Sequence, residues 1–159
     1  MNIVVKASLI LAGAVGLFSI VFYLAGLHES FLSGQLIFLV GAIGLNVGVI
    51  LWALGTTAAE NGYGMQLMNA AGIGLVGGFL VVLVSWLLLA VVFPGVLGEM
   101  REAAIAFMDA SEMSPDQVEA QMKALDSATP MSQSIPGGVG TFFTSLVSGA
   151  IFAIFKRKK

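Results

Sequence analysis

The sequence predicts an all-α integral membrane protein, a bundle of four transmembrane helices with an amphipathic helical hairpin on its outer side between helices three and four. Three observations carry that prediction. The 159 residues are 58% hydrophobic and only 10% charged, with a mean hydropathy of +0.98, whereas soluble chains carry about 25% charged residues. The charges are also segregated. Seven of the nine acids (Glu99, Glu102, Asp109, Glu112, Asp116, Glu119 and Asp126) share one stretch, and four of the seven bases close the chain as Lys156, Arg157, Lys158 and Lys159. Elsewhere run four uncharged segments, each long enough, at about 1.5 Å per residue, to cross a hydrocarbon core of roughly 30 Å.

Span one occupies about residues 5–27, with the uncharged Ala7 to Leu27 between Lys6 and His28. A cleaved signal peptide is the competing assignment, but the apolar run exceeds an h-region of about 7 to 15 residues and a small-residue cleavage pattern is poor. Span two lies at about 33–55, with Trp52 near its end as an interfacial anchor. The run from Asn61 to Gly98 is too short for two spans and a turn, so it holds span three, at about 66–93. Pro94-Gly95 ends it by removing a backbone donor and permitting a bend. Within the last uncharged run, Ser127 to Phe155, Pro136-Gly137-Gly138 is expected to break the beginning and leave span four at about 138–155.

Four spans put both termini on one side. Lys6 and the basic tail 156–159 assign that side to the cytoplasm by the positive-inside rule, and the acidic stretch falls outside. That stretch is patterned as two helices, about 96–126. Leu97, Met100, Ala104, Phe107 and Met108 recur at helical spacing. Ser114-Pro115-Asp116-Gln117 is a helix start with Ser114 as N-cap, Pro115 in the first position and Gln117 three residues after the cap. Val118, Met122 and Leu125 carry the second stripe, with Glu119 and Lys123 an i,i+4 pair. The hairpin's apolar face is thus Met100, Phe107, Met108, Val118, Met122 and Leu125, able to rest on the bilayer interface, the span ends or another protein.

Composition excludes several function classes. The net charge of -2 averages two unlike regions, and the only basic cluster is a short tail beside an apolar segment, so nucleic acid is not an expected partner. Without cysteine there is no disulfide, thiolate metal site or cysteine nucleophile, and a single histidine makes no metal cluster. No catalytic, cofactor-binding or metal-binding residue is assigned. No Asp, Glu, Arg, Lys or His stands inside a span away from its ends, which disfavours proton relays, voltage sensors and ion-coupled transport.

Glu60-Asn61-Gly62-Tyr63-Gly64-Met65 with Ala70-Ala71-Gly72, then Phe93-Pro94, then Met113 to Glu119, and finally Ile151 to Lys159 together resemble the family called domain of unknown function 4199. The resemblance extends over nearly the whole chain, although no single motif in it is chemically specific. It implies a small bacterial membrane protein, of a group frequent in the Bacteroidota, with an inner-membrane address, so that the outer side assigned above to the hairpin is the periplasm. It implies no activity. Relatives tend to carry bases in the turn between spans two and three, whereas this turn has only Glu60, so orientation here rests on the two termini.

Small residues recur at four-residue spacing in every span: Ala12 and Gly16 with Ser8, Gly44 and Gly48, Gly74 and Gly78 with Ala70, and Ser145 and Gly149 with Thr141. In lipid, such positions let helix backbones approach closely. Packing within the four helices is the simpler use for most of them; an oligomer or partner interface is the alternative, since four small faces allow one to point outward. Asn46, in the middle of span two, is expected to make an interhelical hydrogen bond, with a pore or substrate ligand as the alternative. Ser19 and Ser85 need only bond to their own helix backbones. His28-Glu29, at the outer end of span one, could join hairpin acids at a metal, but an interfacial histidine is the simpler reading. The hairpin acids do not follow an EF-hand pattern. Glu99 and Glu102 have no nucleophile or oxyanion donor nearby to make them an acid–base pair.

The functional expectation is therefore a non-enzymatic accessory or structural subunit in the bilayer, packing against a membrane-protein partner or its own copies and using no cofactor. The alternative is an oligomeric pore or carrier for a small or apolar solute, lined by Asn46 and the span-three glycines. A membrane enzyme ranks third for want of a reactive constellation.

Overall fold

The computed structural model describes residues 2–111 and 113–158. Glu112 of the acidic stretch, Met1 and Lys159 of the basic tail lie outside them. Asn2 starts the first helix, α1 (Ile3–Leu24), its side chain accepting the Val4 N–H and so satisfying one of the free amides of the first turn. The helix stops at Gly26, whose φ of 67° is a left-handed conformation that glycine adopts without a Cβ clash. One 3₁₀ turn, Leu27–Glu29, leads into α2 (Phe31–Thr56).

The third long helix, α3 (Tyr63–Leu87), closes in a single π-helical turn, Leu88–Val92, where the Phe93 N–H reaches back to the Leu88 carbonyl at 2.7 Å. Pro94 supplies the cause, since its ring disfavours the helical conformation in the residue before it, and Phe93 stands at φ -129°, ψ 61°. Two shorter helices follow, α4 (Val96–Asp109) and α5 (Pro115–Asp126), the second opened by the expected Ser114/Gln117 capping box. Arg101, early in α4, donates to Asp126, the last residue of α5, at 2.8 Å. Among the described residues this pair closes, and a Glu119–Lys123 ion pair does not.

The last helix corrects the sequence expectation. It begins not at Gly138 but at Pro130, and α6 (Pro130–Phe155) runs unbroken through Pro136-Gly137-Gly138. Thr129 and Ser132 form a capping box and Pro130 takes the first position, so the start is well made. Pro136 removes one backbone donor without ending the helix, and two residues on Gly138 is pressed against α3. The other bounds differ from expectation by a few residues at helix ends.

Four helices, Ile3–Leu24, Phe31–Thr56, Tyr63–Val92 and Pro130–Phe155, are long and apolar enough to cross a membrane. They pack as a square. α3 lies against α1 and α6, α2 lies against the same two from the other side, and α2 and α3 sit on a diagonal. The core between them is built of Ala7, Leu11, Ile50, Leu54, Ile73 and their neighbours. Large apolar side chains such as Leu17, Leu36, Leu75 and Phe143 cover the outside, as a bundle bathed in hydrocarbon requires. α4 tucks under the turn between α1 and α2, burying Val96, Ala104 and Met108, whereas α5 buries no residue.

Candidate functional site

The small-residue stripes of α3 and α6 form one seam. A Cβ on Gly78 would lie 2.7 Å from the Gly138 carbonyl oxygen, and one on Gly138 would lie 2.7 Å from that of Gly78. Four residues along, a Cβ on Gly74 would stand 2.9 Å from the Ser145 side chain, and beyond it Gly149 meets Ala70. As numbers fall along α3 they rise along α6, so the helices are antiparallel. On α1, Ala12 is buried in the core, Gly16 receives the Val84 side chain, and Ser8 donates to the Ile73 carbonyl at 3.4 Å. These stripes are used within the protomer.

The stripe on α2 is not. Around Gly44 and Gly48 nothing comes within 4 Å of where a Cβ would stand, and both are exposed, as are Val40, Ile43, Leu51 and Trp52. Their neighbour Asn46 points the other way. It is buried, its Nδ2 donates to the Thr141 carbonyl and its Oδ1 accepts from Ser145 Oγ, each at 3.0 Å. The amide is thereby a clamp between α2 and α6, as expected of a polar residue deep in a bundle. Ser19 bonds to its own helix at the Val15 carbonyl.

Sequence reasoning missed Gln66. Fully buried, it donates from Nε2 to the Leu54 carbonyl at 2.8 Å and to the Lys156 carbonyl at 2.6 Å, and its Oε1 accepts from Thr57 Oγ1 at 2.7 Å. One side chain on α3 thus ties the ends of α2 and α6. The Lys158 N–H adds a bond to the Asn61 carbonyl, and Lys6 sits over the Trp52 ring at 5.5 Å, so the bases gather at this end. The signal was a glutamine near the start of an apolar helix, but its carbonyl partners carry no residue-type signature.

At the opposite end His28, buried in the 3₁₀ turn, bonds through Nε2 to Glu99 Oε2 of α4 at 2.6 Å, so it does meet a hairpin acid. No group of three His, Cys, Asp or Glu able to hold a metal exists among the described residues. Of the hairpin's apolar face, Met108 is buried, while Met100, Phe107, Val118, Met122 and Leu125 are half-buried, with Phe107 tilted against Phe31 at 5.2 Å between ring centres.

Four long apolar helices joined by buried amide clamps and glycine seams, with apolar side chains turned outward, define a multi-pass helical membrane protein. Within that class residues 6–158 match the model of the family described as "Protein of unknown function (DUF4199)", and the chain belongs to that family. No curated protein and no solved structure matches it.

Proposed function

We propose that this is a non-enzymatic protein of the bacterial inner membrane that acts as an accessory or structural subunit, docking laterally through α2 onto a membrane partner or a second copy of itself. The observation that carries the reading is the outward Gly44/Gly48 face. The small-residue stripes on the other three spans meet neighbouring helices, and this pair alone among the four stripes meets nothing. In lipid, a helix gains little from burying apolar surface against another, so close approach at such a face supplies the association energy. The gathering of Lys6, Lys156, Arg157 and Lys158 at one end supports cytoplasmic termini by the positive-inside rule, with α4 and α5 periplasmic. The alternative of a pore loses its lining: both ends of the Asn46 amide are taken, and Gly74 and Gly78 are closed by α6.

The test is purification in mild detergent with mass determination of the wild type and of Gly44→Leu/Gly48→Leu. The wild type should run as a homo-oligomer or with a stoichiometric membrane partner, and the variant as a folded single chain. A wild type that migrates alone would sink the reading.

A further inference from the structure

At the basic end the segment after α6 is fixed by backbone bonds, while its charged groups are left unpaired. The Lys156 N–H bonds to the Phe152 carbonyl at 2.7 Å and closes the helix. The Lys156 carbonyl then accepts from Nε2 of the buried Gln66, and the Lys158 N–H donates to the Asn61 carbonyl, so the segment lies against α3 and the turn before it. Arg157 and Lys158 are exposed and Lys156 is half-buried. At the same end Lys6 of α1 holds its ammonium over the exposed Trp52 ring of α2. None of these four bases forms an ion pair among the described residues, Glu60 in the turn between α2 and α3 included. Directly before the bases, Ile151, Ile154 and Phe155 form an outward strip on α6, with Phe155 76% exposed.

We infer that this end is a preformed surface for an anionic phospholipid, with the headgroup against Arg157 and Lys158 and an acyl chain along Ile151, Ile154 and Phe155. A phosphodiester offers two non-bridging oxygens and one negative charge. A guanidinium meets such a pair of oxygens with parallel donors, and an ammonium adds a point charge. Two observations select a lipid over a soluble anion. The apolar strip runs straight into the bases, and an acyl chain uses it where a free phosphate does not. Lys6 over Trp52 marks the level of the membrane interface at this end, where indole rings and lysine ends collect. Bases beside an apolar span attract anionic headgroups by charge alone. Here the bonds from Gln66 and to Asn61 also take freedom from the tail beforehand, so less has to be ordered on binding. The surface shares no residue with the Gly44/Gly48 face, and a wild type that proves to be a single chain leaves it standing.

The experiment is a titration of the full chain in mild detergent, with bound lipid counted by native mass spectrometry. The probes are phosphatidylglycerol and phosphatidylcholine with the same acyl chains, inorganic phosphate, and an oligoglutamate peptide. The wild type should hold phosphatidylglycerol about tenfold more tightly than phosphatidylcholine, and the preference should shrink as salt is raised. Arg157→Gln/Lys158→Gln leaves the backbone bonds in place and should weaken phosphatidylglycerol about tenfold, the scale of one to two bases at an anionic surface. Arg101→Gln/Lys123→Gln makes the same change in net charge at the other end and should bind as the wild type does. Gln66→Leu keeps every base but frees the tail, so the folded variant should lose affinity several-fold; if it does not fold, Arg157→Gln/Lys158→Gln decides. The inference is overturned if phosphatidylglycerol binds no better than phosphatidylcholine, if the two double variants lose equally, or if folded Gln66→Leu binds like the wild type. Displacement of the lipid by phosphate or by the peptide at equal concentration overturns it as well.

Discussion

Gly78→Ala isolates the α3–α6 seam. The new methyl would be placed 2.7 Å from the Gly138 carbonyl oxygen, whereas carbon–oxygen contacts settle at about 3.3 to 3.6 Å. The helices must part by roughly 0.6 to 0.9 Å on that comparison. Backbone stands on both sides, so no side chain can rotate away. Overpacking of this kind costs about 1 to 3 kcal/mol. Weakening the mutual approach of the Gly78 and Gly138 backbones costs about 0.5 to 1 kcal/mol more. The gain in helix propensity from Gly to Ala offsets about 1 kcal/mol, which leaves a net loss of about 0.5 to 3 kcal/mol. Gly48→Ala has the same propensity gain with nothing within 4 Å, so the fold should be unchanged or slightly more stable. Both are measured by unfolding in a titration of denaturing detergent against mild detergent, followed by circular dichroism, with the mass recorded at each step. The reasoning fails if Gly78→Ala unfolds with the wild type. It also fails if Gly48→Ala loses as much stability as Gly78→Ala while its mass stays constant.

Three further substitutions probe the polar clamps and the helix start. Asn46→Leu removes two bonds between α2 and α6, but Ser145 can turn its hydroxyl to the Thr141 carbonyl four residues back on its own helix. The loss should stay near 1 kcal/mol in the same titration, and a cost several times larger would show that this self-repair does not occur. Gln66→Leu strands the Leu54 and Lys156 carbonyls together and should cost about 2 kcal/mol or more, with faster amide hydrogen exchange at Lys156 and Lys158; unchanged exchange there would show that Gln66 does not hold the ends. Pro136→Ala restores a donor inside α6, so helical content by circular dichroism should stay constant and stability should rise by about 1 kcal/mol, well under the roughly 3 kcal/mol of a mid-helix proline. A marked gain in helicity would mean that the segment before Gly138 is not helical in the wild type.

The spans were legible because charge is excluded from hydrocarbon, so uncharged runs bounded by Lys6, His28, Glu60 and the basic tail mark them out. The α5 start was legible because its capping box lies within four consecutive residues. Pro136-Gly137-Gly138 misled because the rule for helix breakers is local, whereas the packing of this segment is not: Gly138 lies against Gly78, sixty residues earlier in the chain. Gln66 was invisible for a similar reason, its partners being backbone carbonyls that any residue supplies. Asn46 was legible as a clamp because an amide in a bilayer must find partners. Which partners it finds follows from which faces of α2 and α6 meet, and the stripe spacing of Thr141 and Ser145 alone does not decide that.

The two ends of the bundle are held by different means, and the difference locates where the protein can respond. At the basic end Gln66 and the Lys158–Asn61 bond join α2, α3 and α6 through backbone carbonyls, so movement of one helix there strains the other two. At the other end α4 is attached through the His28–Glu99 bond, the Phe31–Phe107 contact and a few buried side chains, and α5 buries nothing. Local opening is easiest where few apolar contacts are buried, which is the α4–α5 side. The α4–α5 side is therefore where the fold can open without disturbing the clamped basic end, while the Gly44/Gly48 face of α2 stands on the bundle itself.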